Sequence, residues 1–253
     1  MPSLEFLKYN INIRVREDMI LNLMNIEDTD HILDLGGGLG YFSFIFRQNN
    51  KKPKIFLLDV DKESLKFAKR CMSKECFYIV GDATRLPFKN NSLSKILVTE
   101  VLEHIIDDEI AIHEIFRSLK RFGECVISAP CYDYPLFLKT LIHVGTGPQM
   151  HYREGYKTDE LVEMLTRSGL KPNEIKYCNG IISALIFKLM EIFYILRMGK
   201  YKTQSKLFYL KKSSFFEIYK KLFYFVDGIS KFENCLSQIP FVKGQIVIVR
   251  CVK

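Results

Sequence analysis

The segment Asp34-Leu35-Gly36-Gly37-Gly38-Leu39-Gly40 constrains the fold of this 253-residue chain more than any other. It follows a short apolar run and precedes residues 41–48, whose apolar side chains recur at helical spacing. Glycines between a strand and a helix let the backbone approach a ligand closely at the carboxyl edge of a parallel sheet. A nucleotide-type site is expected there. The dinucleotide fingerprint would place glycine or alanine at position 41, where this chain has Tyr41, and does not require an acid at position 34, where it has Asp34. Both departures argue against a nicotinamide cofactor.

Two further acids fall where such a ligand would need them. Asp59 ends the second expected strand, about twenty residues beyond the loop, where a carboxylate accepts hydrogen bonds from ribose hydroxyls. Asp61 reads instead as the N-cap of a helix from Lys62 onward. Gly81-Asp82-Ala83 follows the third strand and sets a carboxylate where an adenine amino group would lie. Each signal is weak alone, and their order at successive strand ends is what gives them weight.

The first two-thirds of the chain alternates β-prone runs with amphipathic stretches, the pattern of βαβ units around a mostly parallel sheet. Strands are expected at 31–35, 54–58, 77–80, 94–99, 124–128, 174–178 and 245–251. Helices are expected at 41–48, 62–72, 109–119 and 158–168, the last closed by Gly169. Arg121-Phe122-Gly123 reads as a turn before the fifth strand. The fold class is therefore α/β, a doubly wound, mostly parallel seven-stranded sheet with a helical insertion before the last strand. Four regions follow: an N-terminal helical cap (1–30), the core (31–179), the insertion (180–242) and the final core strand (243–253).

The segments HILDLGGGLGYFS, IFLLDVDKESLKFA, GDATRLPFKNNSLSKILVTEVLEHI and HYREGYKTDELVEMLTRSGL resemble the class I methyltransferases of ubiquinone and menaquinone biosynthesis. The resemblance implies a cofactor, S-adenosyl-L-methionine, and transfer of its methyl group to a small or lipid-like acceptor. It also implies that Gly36, Gly37, Gly38 and Gly40 form the cofactor loop, with Asp34 near the methionine amino group, Asp59 on the ribose and Asp82 at the adenine. Val60, Ala83 and Thr99 join them in the cofactor site. Many relatives carry cysteine or another small residue where this chain has Gly37.

Glu100-Val101-Leu102-Glu103-His104 lies just after the fourth strand, at the edge of the expected site. It admits three readings. Glu100, Glu103 and His104 hold a divalent ion, with His151 as a distal ligand; or His104 is a general base; or the acids start a helix and the histidine packs. The site expected here has no metal, and His104 is carried forward as the catalytic candidate.

Between Lys188 and Lys231 ten cations face three carboxylates, which accounts for most of the chain's net charge of +8. Residues 180–198 are strongly apolar but hold Lys188 and Glu191 centrally, which makes a membrane span marginal. Beyond them aromatics interleave with lysines. That pattern suits a core-facing helix, a membrane-surface contact, or single-stranded RNA bound by stacking. The insertion is thus expected to cover the substrate mouth or touch a membrane, with nucleic acid the weaker reading, and RNA methylation or a non-catalytic cofactor-binding or membrane-associated role stand as alternative functions. The first sixteen residues lack the apolar core of a secretory signal, and the seven cysteines are scattered without a CxxC pair. A cytoplasmic protein with reduced, mostly buried thiols is expected.

Overall fold

The computed structural model describes residues 4–48, 52–72, 76–133, 152–180, 182–183, 185–186, 189, 216–236 and 243–253. Seven strands, β1 (His31–Leu35), β2 (Lys54–Asp59), β3 (Cys76–Val80), β4 (Leu93–Thr99), β5 (Leu119–Pro130), β6 (Lys171–Cys178) and β7 (Ile246–Val252), form one sheet. Their order is β3-β2-β1-β4-β5-β7-β6, and only β7 runs antiparallel to its neighbours.

Side-chain alternation explains why both faces of this sheet are covered. Ile32, Leu57, Leu97, Val126 and Ile248 join one apolar cluster, while Leu33, Leu58, Ile96, Ile127 and Val249, each one position away, join the other. Strands buried on both faces read as continuous apolar runs, as HILDL and KILVT do. The first face is covered by α1 (Ile11–Met24), α2 (Tyr41–Gln48) and α3 (Lys62–Cys71), the second by α4 (Asp108–Ser118) and α5 (Thr158–Arg167). The strand order reverses between β1 and β4. Ligands of open α/β sheets bind beyond the carboxyl ends of the strands at that point.

Helix α3 begins as the sequence reading expects, with Asp61 accepting from the Glu63 amide at 3.0 Å. Gly169 closes α5 with φ +98°. One boundary needs correcting. Residues 121–123 do not precede β5 but lie within it, because Leu119 pairs with Leu93 and Glu124 with Lys95, so the intervening residues bulge outward with Phe122 at φ +62°. The turn chemistry was legible, but its absorption into a strand depends on pairing with β4.

Between β6 and β7, α6 (Phe216–Leu236) lies against α1. Asn234 Nδ2 donates to the Val15 carbonyl at 2.9 Å, and Arg14 Nε donates to Asp227 Oδ1 at 3.2 Å. The buried Glu233 carboxylate accepts from the amides of Ile182 and Ser183 at 2.6 and 2.7 Å. Phe223 and Val226 enter the core, whereas Tyr224, Phe225 and Phe232 face outward. The core-facing reading of the aromatics therefore holds for one stripe of this helix. The lysine-rich stretch 190–215 and most of the apolar run 180–198 lie outside the described residues. Among the described residues no helix is long and apolar enough to cross a membrane. All seven cysteines are free thiols and five are buried.

Candidate functional site

The loop after β1 is fixed from three sides. Gly36 N donates to the Leu58 carbonyl at 2.7 Å, Gly38 N to Asp59 Oδ2 at 2.8 Å, and Gly40 N to the Gly37 carbonyl at 2.8 Å. Gly36 has φ +66°, and a Cβ there would lie 2.4 Å from Val101 Cγ2. Gly38 differs: its φ is +54°, but an added Cβ would meet nothing nearer than Asp59 Oδ2 at 4.0 Å. The protein leaves space over Gly38, which is what a ligand lying along the loop requires. At Gly37 a Cβ would fall 2.4 Å from Leu57 Cδ1 and 2.6 Å from Asp34 Cγ. The small side chains found there in the resembled family would need these neighbours to move.

Asp34 is fully buried at the foot of the loop. Its Oδ2 accepts from Ser43 N at 3.1 Å and Ser43 Oγ at 2.7 Å, in the first turn of α2. Its Oδ1 is buried without a hydrogen-bond partner. Burial pushes the carboxyl up to about 6, although the two Ser43 bonds pull it down. A buried acceptor left open in this way fits a cationic amino group delivered by a ligand.

Asp59 uses one oxygen for the Gly38 amide and the other for the Asp61 amide, both at 2.8 Å. A carboxylate has about four acceptor positions, so capacity remains for two hydroxyls. Asp82 Oδ1 accepts from Thr84 N and Oγ1 at 2.8 and 2.9 Å, which holds the third turn, and Gly81 N ties that turn to the Asp59 carbonyl at 3.1 Å. Val60, 71% exposed, stands at the mouth, Ala83 is buried beneath, and Thr99 ends β4. The structure thus gathers Asp34, the glycine loop, Asp59, Val60, Asp82, Ala83 and Thr99 at the carboxyl ends of four adjacent strands.

The EVLEH segment forms a single 3-10 turn, Leu102–His104, rather than the start of an α-helix, and Glu100 before it has φ +53°. Glu103 points inward and is 1% exposed; His104 is half-buried, its Nε2 4.0 Å from Glu103 Oε1. Among the described residues no group of three His, Cys, Asp or Glu side chains is placed to hold a metal ion, and His151 lies outside the described residues. Neither Glu103 oxygen has a hydrogen-bond partner. Burial and the neighbouring Glu100 charge push this carboxyl up to about 9, against its own amide and Arg16.

The sequence reading missed the contribution of α1. Arg16 Nη1 approaches Glu100 Oε1 at 3.1 Å, and Tyr41 Oη donates to Glu17 Oε2 at 2.8 Å. The reading also missed the partners that hold the segment after His104. Tyr156 Oη donates to Asp108 Oδ2 at 2.8 Å, and the amides of Tyr152 and Arg153 donate to the Glu103 carbonyl at 2.9 and 3.2 Å. No periodicity marks any of these pairs, because each joins segments distant in sequence.

The glycine-looped switch point and the antiparallel seventh strand define a class I methyltransferase type of domain. The chain belongs to the methyltransferase domain family, which matches residues 26–194, and S-adenosylmethionine is the cofactor that goes with this family and fold. It is 29% identical over 165 residues to the chloroplastic 2-methyl-6-phytyl-1,4-hydroquinone methyltransferase of Arabidopsis thaliana, covering 63% of this chain and 47% of that protein. It is 25% identical over 118 residues to the ubiquinone/menaquinone biosynthesis C-methyltransferase UbiE of Neisseria meningitidis, covering 45% of this chain and 48% of the relative. The chain spans about half the length of these relatives. Among solved structures, an S-adenosylmethionine-dependent methyltransferase from Mesorhizobium loti superposes with a TM-score of 0.59 at 13% identity, covering 94% of this chain and 98% of that one. The [4+2]-cyclase SpnF superposes at 0.62 and 14% identity, covering all of this chain and 83% of that one, so the fold alone does not fix a reaction.

Proposed function

We propose that this chain transfers a methyl group from S-adenosylmethionine to a small or lipid-like acceptor of the hydroquinone type. The observation that carries the reading is the glycine loop over a fully buried Asp34 with one unpartnered oxygen. The activities for which the hydroquinone and ubiquinone/menaquinone relatives are named support the acceptor class. When bound, the cofactor supplies a sulfonium methyl group electrophilic enough for direct transfer. The residues then have to bind, align and dry the reactants. Asp34 takes the methionine amino group, the backbone of Gly36, Gly37, Gly38 and Gly40 lies against the ligand, Asp59 accepts from the ribose, and Asp82 meets the adenine. Val60, Ala83 and Thr99 line the same cleft, and His104 receives the proton that the acceptor gives up.

The outward aromatics of α6, with Lys221 on the same helix, support peripheral contact with a membrane in which such an acceptor dissolves. The protein would work from the cytoplasmic side.

Transfer of labelled methyl from S-adenosylmethionine to short-chain hydroquinones tests this directly. Incorporation that persists with a chelator is expected, because Glu100, Glu103 and His104 are not assigned to a metal. If no hydroquinone is methylated by a chain that binds the cofactor, the acceptor class is wrong. A dependence of affinity on pH is also expected. Since the ionised Asp34 holds the amino group, cofactor affinity rises as pH climbs through about 6, up to about tenfold per pH unit below it, and Asp34→Asn binds weakly with no such rise. Equal affinity at pH 5 and pH 7.5 in the wild type would remove Asp34 from the ligand.

A further inference from the structure

We infer that Arg16 and Glu103 form the site that receives the acceptor's ring hydroxyl, an assignment that rests on the proposed hydroquinone-type acceptor. Arg16 is 7% exposed and Glu103 1% exposed, yet Arg16 Nε and Nη1 and both Glu103 oxygens lack hydrogen-bond partners. The 3.1 Å approach of Arg16 Nη1 to Glu100 Oε1 satisfies distance but not hydrogen-bond alignment. Arg16 and Glu103 both lie beside Glu100, and native folds seldom leave so many buried polar atoms open, so each one needs a reason. Donors and acceptors left open together point to a polar group that arrives with a ligand.

The position agrees with that role. Glu100 follows the last residue of β4, Val101 packs against Gly36 of the cofactor loop, and Glu103 lies two residues further on. Ser128 of β5 reaches toward Glu100 Oε1 at 3.4 Å, so the cluster sits one strand beyond the loop at the same carboxyl edge. That is where an acceptor has to lie beside a methyl donor held on the loop. The chemistry is also complementary. A neutral carboxyl offers one O–H donor and one acceptor oxygen, and the guanidinium offers only donors. A phenolic hydroxyl can donate to the C=O oxygen of the neutral Glu103 side-chain carboxyl while its own oxygen accepts from Arg16. The backbone bonds from Tyr152 and Arg153 to the Glu103 carbonyl leave its side chain free for this use.

Titration calorimetry of the full chain with methylhydroquinone and with its dimethyl ether, which cannot donate, tests the assignment. The wild type should bind the hydroxylated probe about tenfold more tightly, the effect of hydrogen bonds to a partly charged site. That preference should fall below about threefold in Glu103→Met and in Arg16→Met. It should survive in Glu103→Gln, which keeps an acceptor and a donor at the same place. Equal wild-type affinity for both probes needs no variant to interpret and overturns the inference, as does a preference that persists in both Met variants; the acceptor class then stands. If a chain that binds S-adenosylmethionine binds neither probe, the acceptor class fails and takes the inference with it.

Discussion

Replacing Glu103 by glutamine is expected to stabilise the protein by an amount that grows with pH. The folded protein holds this carboxyl protonated up to about 9, chiefly because burial penalises its charge and secondarily because Glu100 lies beside it. An unfolded chain releases the proton near the ordinary value of 4.5. Between those values the folded state binds more protons than the unfolded state, so wild-type stability falls as pH rises. Glutamine has no proton to lose. Denaturant titrations at pH 5 and pH 8 should therefore show the advantage of Glu103→Gln growing with pH, by an amount on the order of a few kcal/mol. Asp34 titrates in both proteins and cancels in the difference. A difference that stays constant with pH would mean that Glu103 is ionised in the folded state.

The second large effect is expected at the cofactor loop. Gly36→Ala places a methyl group 2.4 Å from Val101 Cγ2 at a residue with φ +66°, so the loop or Val101 has to move. The Cβ also strains this backbone conformation by about 1–2 kcal/mol. If the ligand lies along this backbone, as proposed, the displacement should weaken S-adenosylmethionine binding by about tenfold or more through loss of backbone hydrogen bonds. Gly228→Ala is the control. That glycine is exposed in the interior of α6 with nothing within 4 Å of an added Cβ, so alanine should leave affinity unchanged and stabilise the helix by up to about 1 kcal/mol. Equal cofactor affinity in Gly36→Ala and wild type would move the ligand off the loop.

Much of the architecture was legible because it is written in local chemistry. Continuous apolar runs marked the buried strands, helical spacing marked α2 to α5, and Asp61 and Gly169 marked helix ends through capping. The gathering of Asp34, Asp59 and Asp82 was legible because each lies at the end of a strand, so order in the chain becomes adjacency at the sheet edge. What escaped depends on packing between distant segments. The spacing of Glu103 and His104 cannot say which side chain turns inward, and a single 3-10 turn sends Glu103 into the core and leaves His104 half-buried. Arg16 looks like any surface cation in its own segment, and only the docking of α1 brings it to Glu100. Ser43 reads as a helical polar residue until the loop folds it onto Asp34. The inner stripe of α6 is likewise decided by α1, not by its own alternation of aromatics and lysines.

The Gly36–Gly40 loop and its acids are proposed to hold S-adenosylmethionine. Calorimetric titration of the full chain with S-adenosylmethionine and separately with NAD tests this most directly. Binding of the first and not the second is expected, and Asp59→Ala should weaken it by about 1.5–3 kcal/mol through loss of charge-assisted hydrogen bonds to the ribose. Tighter binding of NAD would make the loop a dinucleotide site, and an Asp59→Ala variant with undiminished affinity would remove Asp59 from the ligand.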